Sequence, residues 1–127
     1  MDIEGYWQAV LRQDADALRG CFCEDAVIRW HNSNEQFTRD EFVRANCEYP
    51  GEWAGSLERA EPLAGGGLVM AAHVFSPQNG LSFHVVSFVQ LRGEQIAQLD
   101  EYWGDDGPAP QWRQELGLGR PIEHPRE

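Results

Sequence analysis

Three glycine-bearing turn clusters divide the middle of the chain: "GGG" (Gly65 to Gly67), "PQNG" (Pro77 to Gly80) and "RGEQ" around Gly93. Each is a hairpin signal set between runs with strand character. The runs they separate are roughly Gly55 to Ala64, Leu68 to Ser76, Leu81 to Arg92 and Ile96 to Trp103. They are predicted to form consecutive antiparallel strands. Such a sheet needs a second layer over at least one of its faces.

That layer stands upstream. Asp2 can cap a helix whose apolar positions Ile3, Tyr6, Trp7, Val10 and Leu11 follow the i, i+3, i+4, i+7, i+8 stripe of an amphipathic helix. Asp14 can cap a second helix, with Leu18, Cys21 and Phe22 on its inner face. "EDAVIRWHN" (Glu24 to Asn32) then switches to strand character. Thr38 and Glu41 in "TRDE" make a capping box for a third helix, Arg39 to about Tyr49, stopped by Pro50 and Gly51. The layout predicts an α+β domain with helices packed on one sheet face. Residues 1–106 hold this pattern. Residues 107–127 form a Gly- and Pro-rich extension with one short helical stretch, "PQWRQELG", starting at Pro110. There Trp112 and Leu116 can pack on a pocket mouth or on a partner subunit, and His124 falls in a frayed end.

Hairpin parity separates the two sheet faces. With "PQNG" as a turn, Ser76 opposes Leu81 and His73 opposes His84; with a two-residue turn at Gly93 and Glu94, His84 opposes Trp103. Face one then carries Val69, Ala71, His73, Phe75, His84, Val86, Phe88, Leu99, Glu101 and Trp103. Face two carries Met70, Ala72, Val74, Phe83, Val85, Ser87, Val89, Leu91, Ile96, Gln98, Asp100 and Tyr102. Face one mixes bulky apolar groups with two histidines and an acid, the composition of a small-molecule site. The helices are therefore placed over face one. Face two, smooth and apolar, is expected to pair two copies in a homodimer. A three-residue turn at Gly93 would exchange Glu101 for Asp100 in the cavity.

The composition bounds the partners. Of 127 residues, 42% are apolar, near the globular norm, and the formal charge is -11 from 21 acids and 10 bases. That charge opposes phosphate backbones and anionic lipids, so no nucleic acid and no membrane partner is expected. All the bases are arginine, which excludes Schiff-base chemistry and a phosphate-loop lysine. Cys21, Cys23 and Cys47 have no C-x-x-C spacing and predict neither a disulfide framework nor a zinc site. "MDIEGYWQAV" lacks the basic and apolar segments of a signal peptide, so a cytoplasmic location is expected.

The opening "YWQAVLRQDADALRGCFCEDAVIRW" and the ending "GEQIAQLDEYWGDD" resemble the nuclear transport factor 2-like superfamily, which includes SnoaL-like cyclases and ketosteroid isomerases. The resemblance covers roughly residues 3 to 106. It implies a cone-shaped, cystatin-like α+β fold, three N-terminal helices on a strongly curved mixed or antiparallel sheet. It also places Tyr6 where ketosteroid isomerases keep an oxyanion-hole tyrosine. Their general-base aspartate falls at Trp30, and indole cannot abstract a proton, so steroid isomerisation is not expected. The comparison turns Trp30, Asn32, Leu99, Glu101 and Trp103 inward and His31 outward.

Two roles are open for the polar residues. As a cofactor-free acid–base site, His84 would carry the proton, with His73 and Glu101 assisting and Tyr6 donating a hydrogen bond. His73 and His84 would sit about 5 Å apart across strands. Alternatively they are ordinary, partly buried polar residues of a non-catalytic ligand carrier or association module. A facial-triad metal site from the two histidines and Glu101 is a third, lesser reading, so the expectation is no metal and no cofactor. Tyr49 and Trp53 of "NCEYPGEW" can form a lid for a flat ligand or simply close the core. With Trp30, Asn32, Val86, Phe88, Leu99 and Trp103 they make up the expected pocket. Asp105 and Asp106 are expected to be a solvated acidic pair.

Overall fold

The computed structural model describes residues 1–123, so His124 lies outside the described residues. Its elements are α1 (Ile3–Arg12), α2 (Ala15–Gly20), β1 (Phe22–Trp30), β2 (Glu35–Thr38), α3 (Arg39–Cys47), β3 (Ala54–Pro62), β4 (Leu68–Ser76), β5 (Leu81–Arg92), β6 (Gln95–Asp105) and α4 (Gln111–Glu115). The strands form one mixed sheet in the order β2-β1-β6-β5-β4-β3. Among the described residues, only β1 and β6 pair in parallel. No helix among the described residues is long and apolar enough to cross a membrane.

Side-chain caps start the helices where the sequence predicts. The Asp2 and Asp14 carboxylates accept from Gly5 N and Ala17 N, and Thr38 and Glu41 form a reciprocal capping box. At the other end of α1, Gln13 takes the left-handed conformation at φ 55, unusual for a residue with a Cβ. Its side chain offsets that cost by donating to the carbonyls of Asn46 (2.9 Å) and Tyr49 (2.7 Å). Asn46 answers with a bond to the Val10 carbonyl at 3.1 Å. This clasp holds the end of α3 against the end of α1.

The β4–β5 hairpin has the predicted register, with His73 opposite His84 and Ser76 opposite Leu81. The Gly93 turn also pairs Arg92 with Gln95. Two residues further on, the register shifts: Leu91 pairs with Ile96, but Gln90 pairs with Gln98. Ala97 is the extra residue of a β-bulge, and a one-residue insertion turns every later side chain of β6 to the opposite face. Trp103 therefore opposes Val85 rather than His84, and Glu101 opposes Ser87.

This corrects the expected faces. The helices cover Met70, Ala72, Val74, Val85, Ser87 and Val89, together with Leu99 and Glu101 from β6; all are at most 6% exposed. Tyr6, Leu18, Phe42 and Val43 meet this face from α1, α2 and α3. His73, His84, Val86 and Phe88 lie on the opposite face, beside Asp100 and Tyr102, and no helix among the described residues covers it. The physical reason is burial cost: medium apolar side chains lose nothing when packed under helices, whereas imidazoles must keep polar partners.

Candidate functional site

A cavity of about 590 Å³ opens on the helix-covered side of the sheet. Val10 and Leu11 from α1, Gln13 at its C-terminal cap, and Ala45 and Asn46 from α3 form one wall. Tyr49 and Trp53 come from the loop after α3. Trp30 comes from the end of β1, Asn32 and Ser33 from the turn after it, and Glu35 from the start of β2. Val74, Phe83, Trp103, Gly104 and Asp105 complete the lining from the sheet.

Aromatic rings run around this space in sequence. Tyr49 meets Trp53 edge-on at 4.9 Å, Trp53 stacks near Phe83 at 6.3 Å, Phe83 meets Trp103 at 5.9 Å, and Trp103 meets Trp30 at 6.3 Å. Asn32 fixes the end of the arc. Its side chain accepts from Trp103 N (2.6 Å) and donates to Trp103 O. That bidentate clasp ties the turn after β1 to β6.

Glu101 sits behind the arc at 6% exposure. It accepts a hydrogen bond from Trp30 Nε1 at 3.0 Å and another from Ser87 Oγ at 2.5 Å. Burial pushes its carboxyl above the usual range, and the Ser87, Trp30 and Trp103 donors pull part of the way back. The Trp103 indole N–H is near enough to favour the charged form, though it makes no well-formed hydrogen bond. Tyr6, 2% exposed, packs edge-on against Phe22 in the core. Burial first, and then the charge of Glu101, raises its phenol well above the ordinary value.

The structure thus brings together Trp30, Asn32, Tyr49, Trp53 and Trp103, and separates the other expected residues from them. Leu99, 0% exposed, is core. Val86 and Phe88 are on the outer face, so they do not line the cavity. The expected convergence of His73, His84 and Glu101 does not occur, because the Ala97 bulge leaves Glu101 on the other side of the sheet. The facial-triad reading falls with it. Among the described residues, no group of three or more His, Cys, Asp or Glu side chains is arranged to hold a metal ion.

On the outer face the two imidazoles stack, with centroids 4.8 Å apart and planes 15° from parallel. Asp106 bridges them, bonding His84 Nδ1 through one oxygen and approaching His73 Nε2 at 3.4 Å with the other. Ser82 Oγ donates to Asp106 at 2.6 Å and lies 3.0 Å from His73 Nε2. Glu58 stands 3.5 Å from His84 Nε2. The Asp106 hydrogen bond, helped by the charges of Asp106 and Glu58, raises the His84 pKa against desolvation. Desolvation raises that of Asp106, but Ser82 and His84 outweigh it, so the carboxyl is lowered overall. His84 therefore adds stability that is complete below about pH 6.5 and is lost as pH rises through its folded pKa. Asp106 adds stability present above about pH 3.9 and lost as pH falls through its own folded pKa. Asp106→Asn should move the His84 titration to lower pH, read from its imidazole NMR shifts, with little change in overall stability because the pair is solvent-accessible.

Several lining residues have no forewarning in the sequence: Val74 and Phe83 because hairpin parity alone does not say which face the helices cover, and Asp105 because it closes a strand. Gln13 carries the clearest signal, a polar residue directly before the Asp14 helix cap.

No protein-family model and no curated protein matches the sequence. Solved structures do. A candidate ketosteroid isomerase from Kribbella flavida superposes with a TM-score of 0.76 at 21% identity, over 97% of this chain and 90% of its own. A protein of unknown function from Burkholderia xenovorans, described as NTF-2 like, has a TM-score of 0.76 at 21% identity, over 95% and 92%. A candidate SnoaL-like polyketide cyclase from Shewanella putrefaciens has 0.62 at 16%, over 77% and 74%. The chain has the nuclear transport factor 2-like fold.

Proposed function

We propose that this protein binds a small, flat, largely apolar metabolite in the aromatic cavity, and that it acts as a carrier rather than an acid–base catalyst. The observation that carries this reading is the composition of the cavity wall. Five aromatic rings line about 590 Å³, and no histidine stands among the lining residues described. The cofactor-free isomerase, hydratase or cyclase reading needs a proton carrier poised near neutral pH and touching the ligand. His84 and His73 are on the far side of the sheet, and Tyr6 is held protonated in the core. Glu101 reaches the cavity only through Trp30 and Trp103.

The lining residues run from Val10 to Asp105, which supports residues 1–106 as the ligand-binding unit and the cone-shaped enclosure as its form. Val86, Phe88 and Tyr102, 37 to 47% exposed, give the uncovered face an apolar surface that supports a homodimer through it.

A thermal-shift screen of flat apolar metabolites tests the reading. A ligand at one hundred times its Kd should stabilise the fold by about 2.7 kcal/mol, several degrees in Tm for a domain of this size. Ala45→Phe, which fills the cavity from α3, should abolish that shift without unfolding the empty protein. His84→Ala should leave it unchanged. Turnover of a bound compound that disappears in His84→Ala would overturn the carrier reading.

A further inference from the structure

We infer that the ligand is a cation: an organic amine, protonated or quaternary, attached to an apolar body. This rests on the reading of the cavity as a ligand site and narrows it to one chemical class.

The first support is charge. The acidic side chains lining the cavity are Glu35 and Asp105, and no Arg or His stands with them among the described residues. A carboxylate or phosphate ligand would find no counter-charge there, whereas an ammonium would find two. The formal charge of -11 adds a long-range field of the same sign.

The second is the direction of the hydrogen-bonding groups. The amide NH₂ of Gln13 is engaged with two backbone carbonyls and that of Asn46 with a third. What these side chains have left to offer is carbonyl oxygen. Asn32 has both ends occupied by the Trp103 backbone. The unpaired indole N–H groups of Trp53 and Trp103 are buried beyond the reach of water, so a ligand in the cavity cannot bond them either. The amide and indole donors of the wall are thus engaged or out of reach, and the hydroxyls of Ser33 and Tyr49, which can accept as well as donate, are the remaining side-chain donors.

The third is the rings. Cations bind the negative faces of aromatic side chains, tryptophan best of all. Three tryptophans, a tyrosine and a phenylalanine line the space in an unbroken arc. Trp30 also donates its N–H to a carboxyl oxygen of Glu101, which polarises the indole and makes its face more negative. Together these features complement an ammonium group with an apolar body behind it.

A charge series on one flat body is the test: 1-naphthylmethylammonium, 1-naphthalenemethanol and 1-naphthoate, titrated into the full chain by calorimetry at neutral pH. The ammonium should bind at least tenfold more tightly than the alcohol, and the carboxylate most weakly. Trp53→Leu should remove most of the preference for the ammonium while leaving the alcohol's affinity. Tyr49→Leu, at a more exposed ring, gives a second reading if the first variant does not melt cooperatively. Equal affinity for ammonium and alcohol, or tighter binding of naphthoate, overturns the cation and leaves the apolar-ligand reading standing. Silence from all three overturns both.

Discussion

Glu101→Ala should be among the most destabilising single changes in this chain, at about 2–6 kcal/mol. The carboxyl is 6% exposed and takes hydrogen bonds from Trp30 Nε1 and Ser87 Oγ. Removing it strands the buried Ser87 hydroxyl and the part-buried Trp30 N–H, at up to about 1–3 kcal/mol each, and opens a void that the surrounding rings only partly close. Relief of the carboxylate's own desolvation offsets part of this. Against a total stability of about 5–15 kcal/mol, the remainder is a large fraction. Glu101→Gln should cost less, because the amide oxygen still accepts from Trp30 and the Ser87 hydroxyl can turn to accept from the new NH₂. The pH dependence separates the two groups further. Since burial raises the carboxyl's pKa in the folded state, the folded form holds the proton where the unfolded form has lost it. Wild-type stability should therefore fall as pH rises from about 4.3 to the folded pKa, and be flat on either side for this group. Denaturation by urea across pH, with the Glu101→Gln profile subtracted, isolates that slope. A difference profile that rises with pH would mean that the hydrogen bonds, not burial, dominate the site.

Much of the local structure is legible in the sequence because it rests on short-range chemistry. Asp2, Asp14 and Thr38 announce helix starts by the bonds they make three residues on. "PQNG" sets His73 opposite His84 because a turn of that length admits few registers. What is not legible is the side of the sheet on which those residues end up. That depends on Ala97, one unpaired residue in a strand that otherwise alternates. A trace of it does exist: Ile96 and Leu99 are three apart, and an unbroken strand cannot point both at one core, yet both are fully buried. The choice of covered face had a signal too. Met70, Ala72 and Val74 pack under helices without a polar debt, while a face carrying two imidazoles needs partners such as Asp106. The short strand β2, "EQFT", is mostly exposed and too brief for any periodicity, so only its pairing with β1 reveals it. The candidate site divides along the same line. Tyr49 and Trp53 follow from a loop position, but Phe83 and Val74 follow only from knowing which face is inside.

Trp103→Ala should weaken both the fold and the ligand site, and Trp103→Phe should separate the two effects. The indole stands against Trp30 and Phe83 in the cavity wall and packs on a cluster of Trp7, Leu11, Ala72, Val74 and Val85. Truncation to alanine should cost about 3 kcal/mol, the low end for a tryptophan, because the ring borders a cavity rather than solid core. It should also reduce the affinity for an aromatic or cationic ligand by about tenfold or more, since one ring of the arc is gone. Phenylalanine restores a ring and most of the packing, so stability should largely return. The N–H it lacks, however, is one of the groups that favour the charged form of Glu101. In Trp103→Phe the carboxyl's pKa should climb above its wild-type value, and the pH range over which stability falls should extend upward. Equilibrium unfolding at several pH values and a ligand titration on the same samples read both consequences. If Trp103→Phe binds normally but shows the extended pH range, the indole has two separable jobs: its ring belongs to the ligand and its N–H to the buried acid. An unshifted range would confine Trp103 to the wall of the cavity and leave Trp30 and Ser87 as the groups that hold Glu101.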